Sequence, residues 1–560
     1  MVYAENYSTE LTGRRIPENA AHPECLDTIE DWLKKCFEEH KDCARPEAAP
    51  LPTRVIDVGP PNGSQAPKLL HAQGMQGQWV ALSHRWDRDK FLTTTTGNLN
   101  NHLQSIAWHE LPRKFQDAMV LTRKLGFRYL WIDSLCIIQD SKEDWIAESS
   151  RMGTVYKHST LNLAAGHPLT SERGIMADRI PAFSPSFPRL DDIRFTYAST
   201  STGAVQSVGV QKFPVYGAFS AEVKHLNILR SRGWVLQEAV LSPRTITWTE
   251  EQMIWQCRTG VAAEYQMREH TSMFSHVGKR AYVETHNLKN VFRVLSLDKA
   301  FKTASYDLWY MILSVYCESN LTHPGDVLHA ISGVAQEIQQ GTGDTYCAGI
   351  WLNDLGRSLL WYIEEVRGKK EISDARRPLS SYAPSWSWAS RKGSESMHIW
   401  NVGELEFTDD ALYLVNVDSS SKVAGIADGS TLVSMTVKAP MRDSLVGHGD
   451  ASPWKEGFFY RNAYCRWDVL AANVLVLVYH LDSNDCVQPP DGTDPPKFLE
   501  QVWCLAVGTE KVPGSQWQVG LLLQESKKKR GAYQRVGQFR MDSEWVDGLG
   551  EWVQREVTIV

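Results

Sequence analysis

Residues 128–156, RYLWIDSLCIIQDSKEDWIAESSRMGTVY, constrain what this chain can fold into more than any other stretch. They read as a buried strand, a polar turn and an amphipathic helix. Trp145, Glu148, Met152 and Val155 follow i, i+3, i+7, i+10 spacing and so share one helix face. Three of the four are apolar, so that face is predicted to be buried, and Glu148 is predicted to turn a carboxylate inward near the start of its helix. A carboxylate there needs a partner or a task. The purely structural alternative is an ion pair with an arginine such as Arg128 or Arg244.

The flanking patterns extend this unit. Residues 78–83, QWVALS, suit a buried strand and stop at the polar cluster His84, Arg85, Trp86, Asp87, Arg88 and Asp89. Residues 111–125 read as a helix, with Pro112 at its first position, a stripe of Phe115, Ala118, Met119, Thr122 and Leu125, and Gly126 as its stop. Further strands are predicted over 129–132 and 161–165, and Ser141 with Asp144 has capping-box spacing for the helix between them. Strand–helix alternation of this kind gives a parallel α/β unit, in which ligands bind beyond the carboxyl ends of the strands. Two polar loops, 83–89 and 133–140, leave those ends together. Beyond them, 191–200 and 204–213 suit an inserted hairpin, 232–241 a short helix carrying Gln237 and Glu238, and 244–248 with 253–257 a second hairpin.

A chain of 560 residues is too long for one core. Four regions are predicted: 1–75, helical and irregular; 76–260, the α/β domain; 261–400, mainly helical over 306–317, 327–340 and 355–366; and 401–560, β-rich, a sandwich or barrel. In the first, a helix over 26–43 gives Cys36, His40 and Cys43 i, i+4, i+7 spacing, enough to present three soft metal ligands, with Cys25 the nearby candidate for a fourth. The alternative is a buried pair of cysteines and a capping histidine. The Pro-rich stretch 44–66 reads as a linker or irregular edge, and the Trp-rich 383–390 as a docking corner.

The net charge of −7 argues against a nucleic-acid binder, and the basic run 527–530 reads as a solvated turn. Ten scattered cysteines suggest reduced thiols and a cytoplasmic protein rather than a disulfide framework. No apolar stretch approaches the roughly 18 residues of a membrane span, and the first residues lack a signal-peptide core. Cys136 lies in an apolar run and reads as core rather than nucleophile. Neither GxGxxG after a strand nor GxxxxGK[ST] occurs, which leaves Rossmann redox chemistry and P-loop hydrolysis unsupported.

Three blocks resemble the fungal heterokaryon-incompatibility (HET) domain: WVALSHRWD with FLTTTTGNL behind it, LGFRYLWIDSLCIIQDSKEDWIAESSRMGTVYKHS, and SRGWVLQEAVLSPRTITWTEEQMIWQC. They stand in the family's order over roughly 78–258, with His84 in place of the common Tyr and Asp87 in place of the common Gly. The flanking DWLKKCFEEHKDC, DVLHAISGVA, AGIWLNDLGRSLLW, APSWSWAS and GAYQRVGQF are similar to segments around such domains. The resemblance implies a role in non-self recognition and programmed cell death. It also implies a distant likeness to TIR domains, hence a TIR/flavodoxin-like parallel sheet core with insertions. SHRWDRD is similar to the first-strand loop of TIR domains, and DWIAE to the segment that carries their catalytic glutamate, which falls on Glu148.

Many TIR domains cleave NAD, so the resemblance makes NAD or a related nucleotide the candidate substrate, with no cofactor required. Cleavage passes through an oxocarbenium-like state in which the leaving group already carries a positive ring nitrogen, so one carboxylate beside the ribose suffices. Glu148 fits that role. Trp86 or Trp145 would form an aromatic wall, Ser83 and Asp133 would hold sugar or phosphate, and Arg85 would neutralise pyrophosphate. Asp87, Gln139 and Glu238 complete the candidate binding set, Gln139 also reading as a turn former and Glu238 equally as a structural acid. Two other functions are open: a non-catalytic module that recruits protein partners or self-associates, and an enzyme repurposed for another small molecule in the same cleft.

Overall fold

The structure is a computed structural model. It describes residues 2–4, 16–43, 45–86, 92–167, 173–179, 194–198, 205–210, 228–264, 270–271, 275–277, 280–282, 289, 302–363, 383–390, 397–399, 405–406, 412–417, 434–447, 467–471, 474–478, 480–481, 499–512, 515–527, 529–542 and 552–560. Two compact units divide it, Met1–Leu308 and Trp309–Val560.

The first unit is built on a nine-stranded mixed sheet. In chain order its elements are α1 (Pro23–Glu39), β1 (Arg54–Asp57), β2 (Lys68–His71), β3 (Trp79–Ser83), α2 (Arg113–Lys124), β4 (Tyr129–Trp131), α3 (Asp133–Cys136), α4 (Lys142–His158), β5 (Leu161–Ala165), α5 (Gly233–Leu241), β6 (Arg244–Trp248), β7 (Met253–Cys257), β8 (Gly260–Ala263) and β9 (His270–Thr271). The strand order is β9-β8-β7-β6-β5-β3-β4-β1-β2. The four central strands β6, β5, β3 and β4 are mutually parallel, and all the others pair antiparallel. By chain order the parallel strands run second, first, third, fourth. The expected parallel core is therefore present as the middle of a mixed sheet.

The central strands follow their sequence pattern closely. All five residues of β3 are buried, as a strand covered on both faces requires. Helix α2 buries Phe115, Ala118, Met119 and Thr122 as predicted. Gly126 ends it with φ 80, and the Phe127 amide returns to the Thr122 carbonyl at 3.0 Å. Ser141 caps α4 by accepting from the Asp144 amide at 3.2 Å. The hairpin of β6 and β7 has the predicted bounds, and Arg194–Ala198 pairs with Val205–Val210 inside the expected insertion. Residues 191–193, 199–200, 204 and 211–213 of that expectation lie outside the described residues.

Two expectations fail in the first unit: the helix expected over 26–43 ends at Glu39, so Cys43 lies beyond it, and the stretch 44–66 is more than a linker or irregular edge. The stretch read as a Pro-rich linker holds β1, whose four residues are all buried, paired with β4 and β2. The prolines at 50, 52, 60 and 61 only bracket it, leaving Arg54 to Asp57 free to donate to both neighbours.

Helices run over Lys302–Cys317, of which residues 309–317 belong to the second unit, and over His329–Thr342 within that unit. The third expected helix is cut short at Leu355–Leu359, and Trp361–Ile363 forms a strand beside Met397–Ile399. Aromatic and β-branched side chains suit a strand better than a helix here. Residues 364–366 lie outside the described residues. Trp386 and Trp388 of the expected docking corner are buried; the Trp361 indole donates to the Trp386 carbonyl at 2.9 Å and that of Trp388 to Gly349 at 2.6 Å. The C-terminal region is β-rich, a ten-stranded sheet centred on Met435–Gly447, Leu499–Val512, Ser515–Glu525 and Tyr533–Asp542.

Candidate active site

The carboxyl ends of β3 and β4, with Asn162 of β5, gather a cluster of polar side chains. Ser83 closes β3 and is 1% exposed. Its hydroxyl donates to Glu238 Oε2 and accepts from Asn162 Nδ2 at 3.0 Å. Asn162 sits inside β5, in parallel register with Ala81 of β3. Glu238 comes from α5, a helix buried on almost every side, and is itself buried. Burial is the main force on that carboxyl and pushes its pKa up to about 7; the nearby Asp133 adds to the rise, and the Ser83 hydroxyl opposes it.

Asp133 follows β4 and behaves in the opposite way. Its Oδ1 accepts from the Ser134 amide at 2.6 Å and meets His84 Nε2 at 2.9 Å, and its Oδ2 accepts from the Trp86 indole at 2.9 Å. Burial alone would raise it, but the His84 imidazole, the Trp86 indole and Arg232 together hold it below the usual carboxylate range. The loop after β3 is pinned by three further contacts. Arg232, the N-cap of α5, donates to the His84 carbonyl at 2.8 Å; Lys114 of α2 donates to the Arg85 carbonyl at 2.7 Å; and the His84 ring packs edge-on against Phe115 at 5.0 Å. Tyr156 of α4 lies behind the cluster, its hydroxyl 3.4 Å from the Leu82 carbonyl.

The match to a known family falls on these same elements. Residues 79–238 match the family model described as heterokaryon incompatibility protein (HET). These residues form a HET domain. No curated protein and no solved structure matches the chain.

Four of the sequence-predicted residues therefore meet in the HET domain: Ser83, Trp86, Asp133 and Glu238. The Gln139 amide donates to the carbonyls of Asp133 and Ile137, each at 3.1 Å, and so shapes the turn that carries Asp133. Arg85 is exposed and Trp145 half-buried, and Asp87 lies outside the described residues. His84, Asn162, Tyr156 and Arg232 also belong to the cluster. Of these, Asn162 left a legible trace, as one amide inside the apolar LNLAA.

Glu148 has a different set of partners. It is 3% exposed, and Met152 and Val155 on its face are buried with it. Its carboxylate accepts from Thr53 Oγ1 at 2.7 Å and from Arg151 Nη1 at 3.3 Å. Neither arginine considered from the sequence reaches it in these contacts. Arg128 pairs with Asp57 at 2.5 Å, and Arg244 donates to Cys36 Sγ at 3.2 Å. Next to Glu148, Arg54 joins β1 to the start of α4, donating to the Cys136 carbonyl at 2.6 Å and to Asp144 at 2.5 Å. Cys136 is core, its thiol pushed up to about 12 by burial.

The sequence-predicted metal set is also brought together. Cys36, His40 and Cys43 converge with Cys257. Cys25, the fourth ligand suggested by proximity in sequence, instead faces Glu264 Oε1 at 3.3 Å and Arg179 at 3.5 Å. Among the described residues no helix is long and apolar enough to cross a membrane.

Proposed function

We propose that the HET domain is the effector of heterokaryon incompatibility, and that it hydrolyses the glycosidic bond of NAD or a related nucleotide at the strand ends around Ser83, Asp133 and Glu238. The strand order second, first, third, fourth is that of flavodoxin-like doubly wound sheets, which supports the TIR-like reading. Such sheets bind ligands where the order reverses, between the first and third strands. In this chain that is the gap between β3 and β5, the position of Ser83 and Asn162.

The observation that carries the reading is the pair of carboxyls driven apart, Glu238 upward and Asp133 downward, within one cluster. Environments that separate two acids in this way assign them different tasks. Asp133, ionised and with 24% of its side chain exposed, faces the developing oxocarbenium charge. Water forms a bond to the anomeric carbon while the bond to nicotinamide breaks and its electron pair neutralises the ring nitrogen. The proton of that water passes through Ser83 Oγ to the Glu238 carboxylate, which near neutral pH is available in both forms.

The experiment is the purified full-length chain with NAD, followed for free nicotinamide, beside Glu238→Gln and Glu148→Gln. A loss of about 100-fold or more in Glu238→Gln, with a smaller loss in Glu148→Gln, supports the strand-end assignment. The reverse ranking moves the reaction to Glu148, the residue the TIR resemblance selects. Absence of turnover in all three, including at high protein concentration, favours a second reading: a non-catalytic module for recruitment or self-association. That reading has its own support, because Ser83, Glu238 and Glu148 are buried and already hydrogen-bonded.

A further inference from the structure

We propose that Cys36, His40, Cys43 and Cys257 bind a single zinc ion in a closed structural site that ties α1 to the β6–β7 hairpin. One donor atom from each side chain lies within 4.8 Å of the other three. Zinc–sulfur bonds of about 2.3 Å and zinc–nitrogen bonds of about 2.0 Å put tetrahedral donors about 3.5–3.8 Å apart. A modest inward movement of four side chains reaches that spacing. The His40 Nδ1 to Cys257 Sγ distance of 3.4 Å is already there.

The local backbone explains how the four meet. Cys36 lies in the last turn of α1, and His40 follows four residues on, just past the end of the helix. The helix ends at Glu39, and His40 takes an extended backbone as its C-cap. The Cys43 amide then donates to the His40 carbonyl at 3.3 Å, and this turn brings the chain back over the helix end. Cys257 is the last residue of β7 and pairs directly with Arg244 of β6. The site thus joins two segments far apart in sequence. The same two are in contact through Trp32 on Trp255, with ring centroids 6.1 Å apart, and Arg244 over Phe37 at 4.7 Å.

The surroundings suit zinc held by three thiolates and an imidazole. That set carries one net negative charge, and the buried guanidinium of Arg244 offsets it, donating from Nε to Cys36 Sγ at 3.2 Å. The Thr259 hydroxyl lies 3.5 Å from Cys43 Sγ, close enough to support a second thiolate. The three cysteines are buried while His40 is half-buried, so an ion enters past the imidazole. Four protein donors fill a tetrahedral shell and leave no position for water or substrate, which makes the site structural. It stands whether or not the strand ends catalyse a reaction.

The test uses the full-length chain, expressed with zinc in the medium, purified without chelator and assayed for total metal. About one zinc per chain is expected. Cys257→Ser should lower it at least about tenfold, because metal binding to such sites depends on every donor. His40→Ala should lose the ion while His40→Cys, which restores a fourth donor, keeps it. That pair of variants at a half-buried position guards against misreading a folding failure. Cys25→Ser should retain full zinc. Cobalt substitution should give the intense visible bands of tetrahedral thiolate coordination. Folded, reduced protein holding less than about a tenth of an equivalent overturns the proposal. So does a disulfide among these three cysteines in freshly isolated protein, or full zinc retention in a Cys36→Ser, Cys257→Ser double variant.

Discussion

Glu148 and Glu238 are two buried glutamates on packed helices of one domain, α4 and α5, and they meet opposite surroundings. Glu148 finds a hydroxyl and a guanidinium, so its carboxylate is matched where it sits. Glu238 finds a serine hydroxyl, an amide beyond it, the Arg232 guanidinium and the like charge of Asp133, and burial, which these partners do not offset, holds its proton toward neutral pH. Burial alone says little about what an acid does. A carboxyl whose donor and cation offset its burial serves as a staple, whereas one whose partners leave the burial uncompensated is poised to exchange a proton. Under the proposed function, Glu148 belongs to the scaffold and Glu238 to the chemistry.

The largest test acts on the scaffold side. Arg54 is 4% exposed and holds both Asp144, 17% exposed, and the Cys136 carbonyl. Arg54→Met leaves the half-buried Asp144 carboxylate with only the Ile138 amide, at 2.8 Å, and the Cys136 carbonyl without its guanidinium donor. It should destabilise the domain by about 3–5 kcal/mol, read as a lower urea midpoint. A loss below about 1 kcal/mol would mean that the Glu148 corner does not staple β1 to α4, and the contrast would lose one side.

The next test acts on Glu238 and is a pH dependence. Its folded pKa is raised from 4.5 to about 7, so the folded state binds the proton more tightly than the unfolded state does. The sign follows from linkage: this contribution to stability is fully present below 4.5 and is lost as pH rises through about 7. At roughly 1.4 kcal/mol per pKa unit it amounts to about 3 kcal/mol. Wild type should therefore lose about that much stability relative to Glu238→Gln between pH 4.5 and pH 8, since glutamine cannot ionise. Asp133, depressed from 3.8, contributes in the opposite sense, losing stability only as pH falls below that value, so the two windows do not overlap. A difference between wild type and Glu238→Gln that stays flat over the window would remove the reason to call this acid poised.

What the sequence disclosed, and what it hid, follows from range. Strands β3, β4, β5, β6 and β7 were legible because short apolar runs sit between polar loops. The inward turn of Glu148 was legible because helical spacing is local. Its partner was not, because Thr53 precedes a strand flanked by prolines that reads as a linker. Ser83, Trp86 and Asp133 could be named as loop residues at strand ends, while Glu238 read equally as pocket or salt bridge. Its choice of Ser83 is a contact across 155 residues, and no periodicity encodes it. Cys257 was hidden for the same reason: proximity in sequence pointed to Cys25, whereas strand pairing delivered Cys257.

The smallest effects sharpen the comparison by asking which of the two Glu148 partners matters. The Thr53 hydroxyl donates to a buried carboxylate, and Thr53→Val keeps the shape while removing that donor. A hydrogen bond to a charged group is worth about 1.5–3 kcal/mol, so the lower part of that range is expected. Arg151 has 59% of its side chain exposed, so water and salt screen its pairing with Glu148. Arg151→Ala should cost about 0.5 kcal/mol or less, and the loss should shrink further in high salt. If Thr53 outranks Arg151, the staple is a hydrogen bond held inside the fold, which neither salt nor a passing anion can release. If Arg151 outranks Thr53, a guanidinium at the surface governs Glu148, and an anionic ligand that drew it away would free this carboxylate for the role that the TIR resemblance implies.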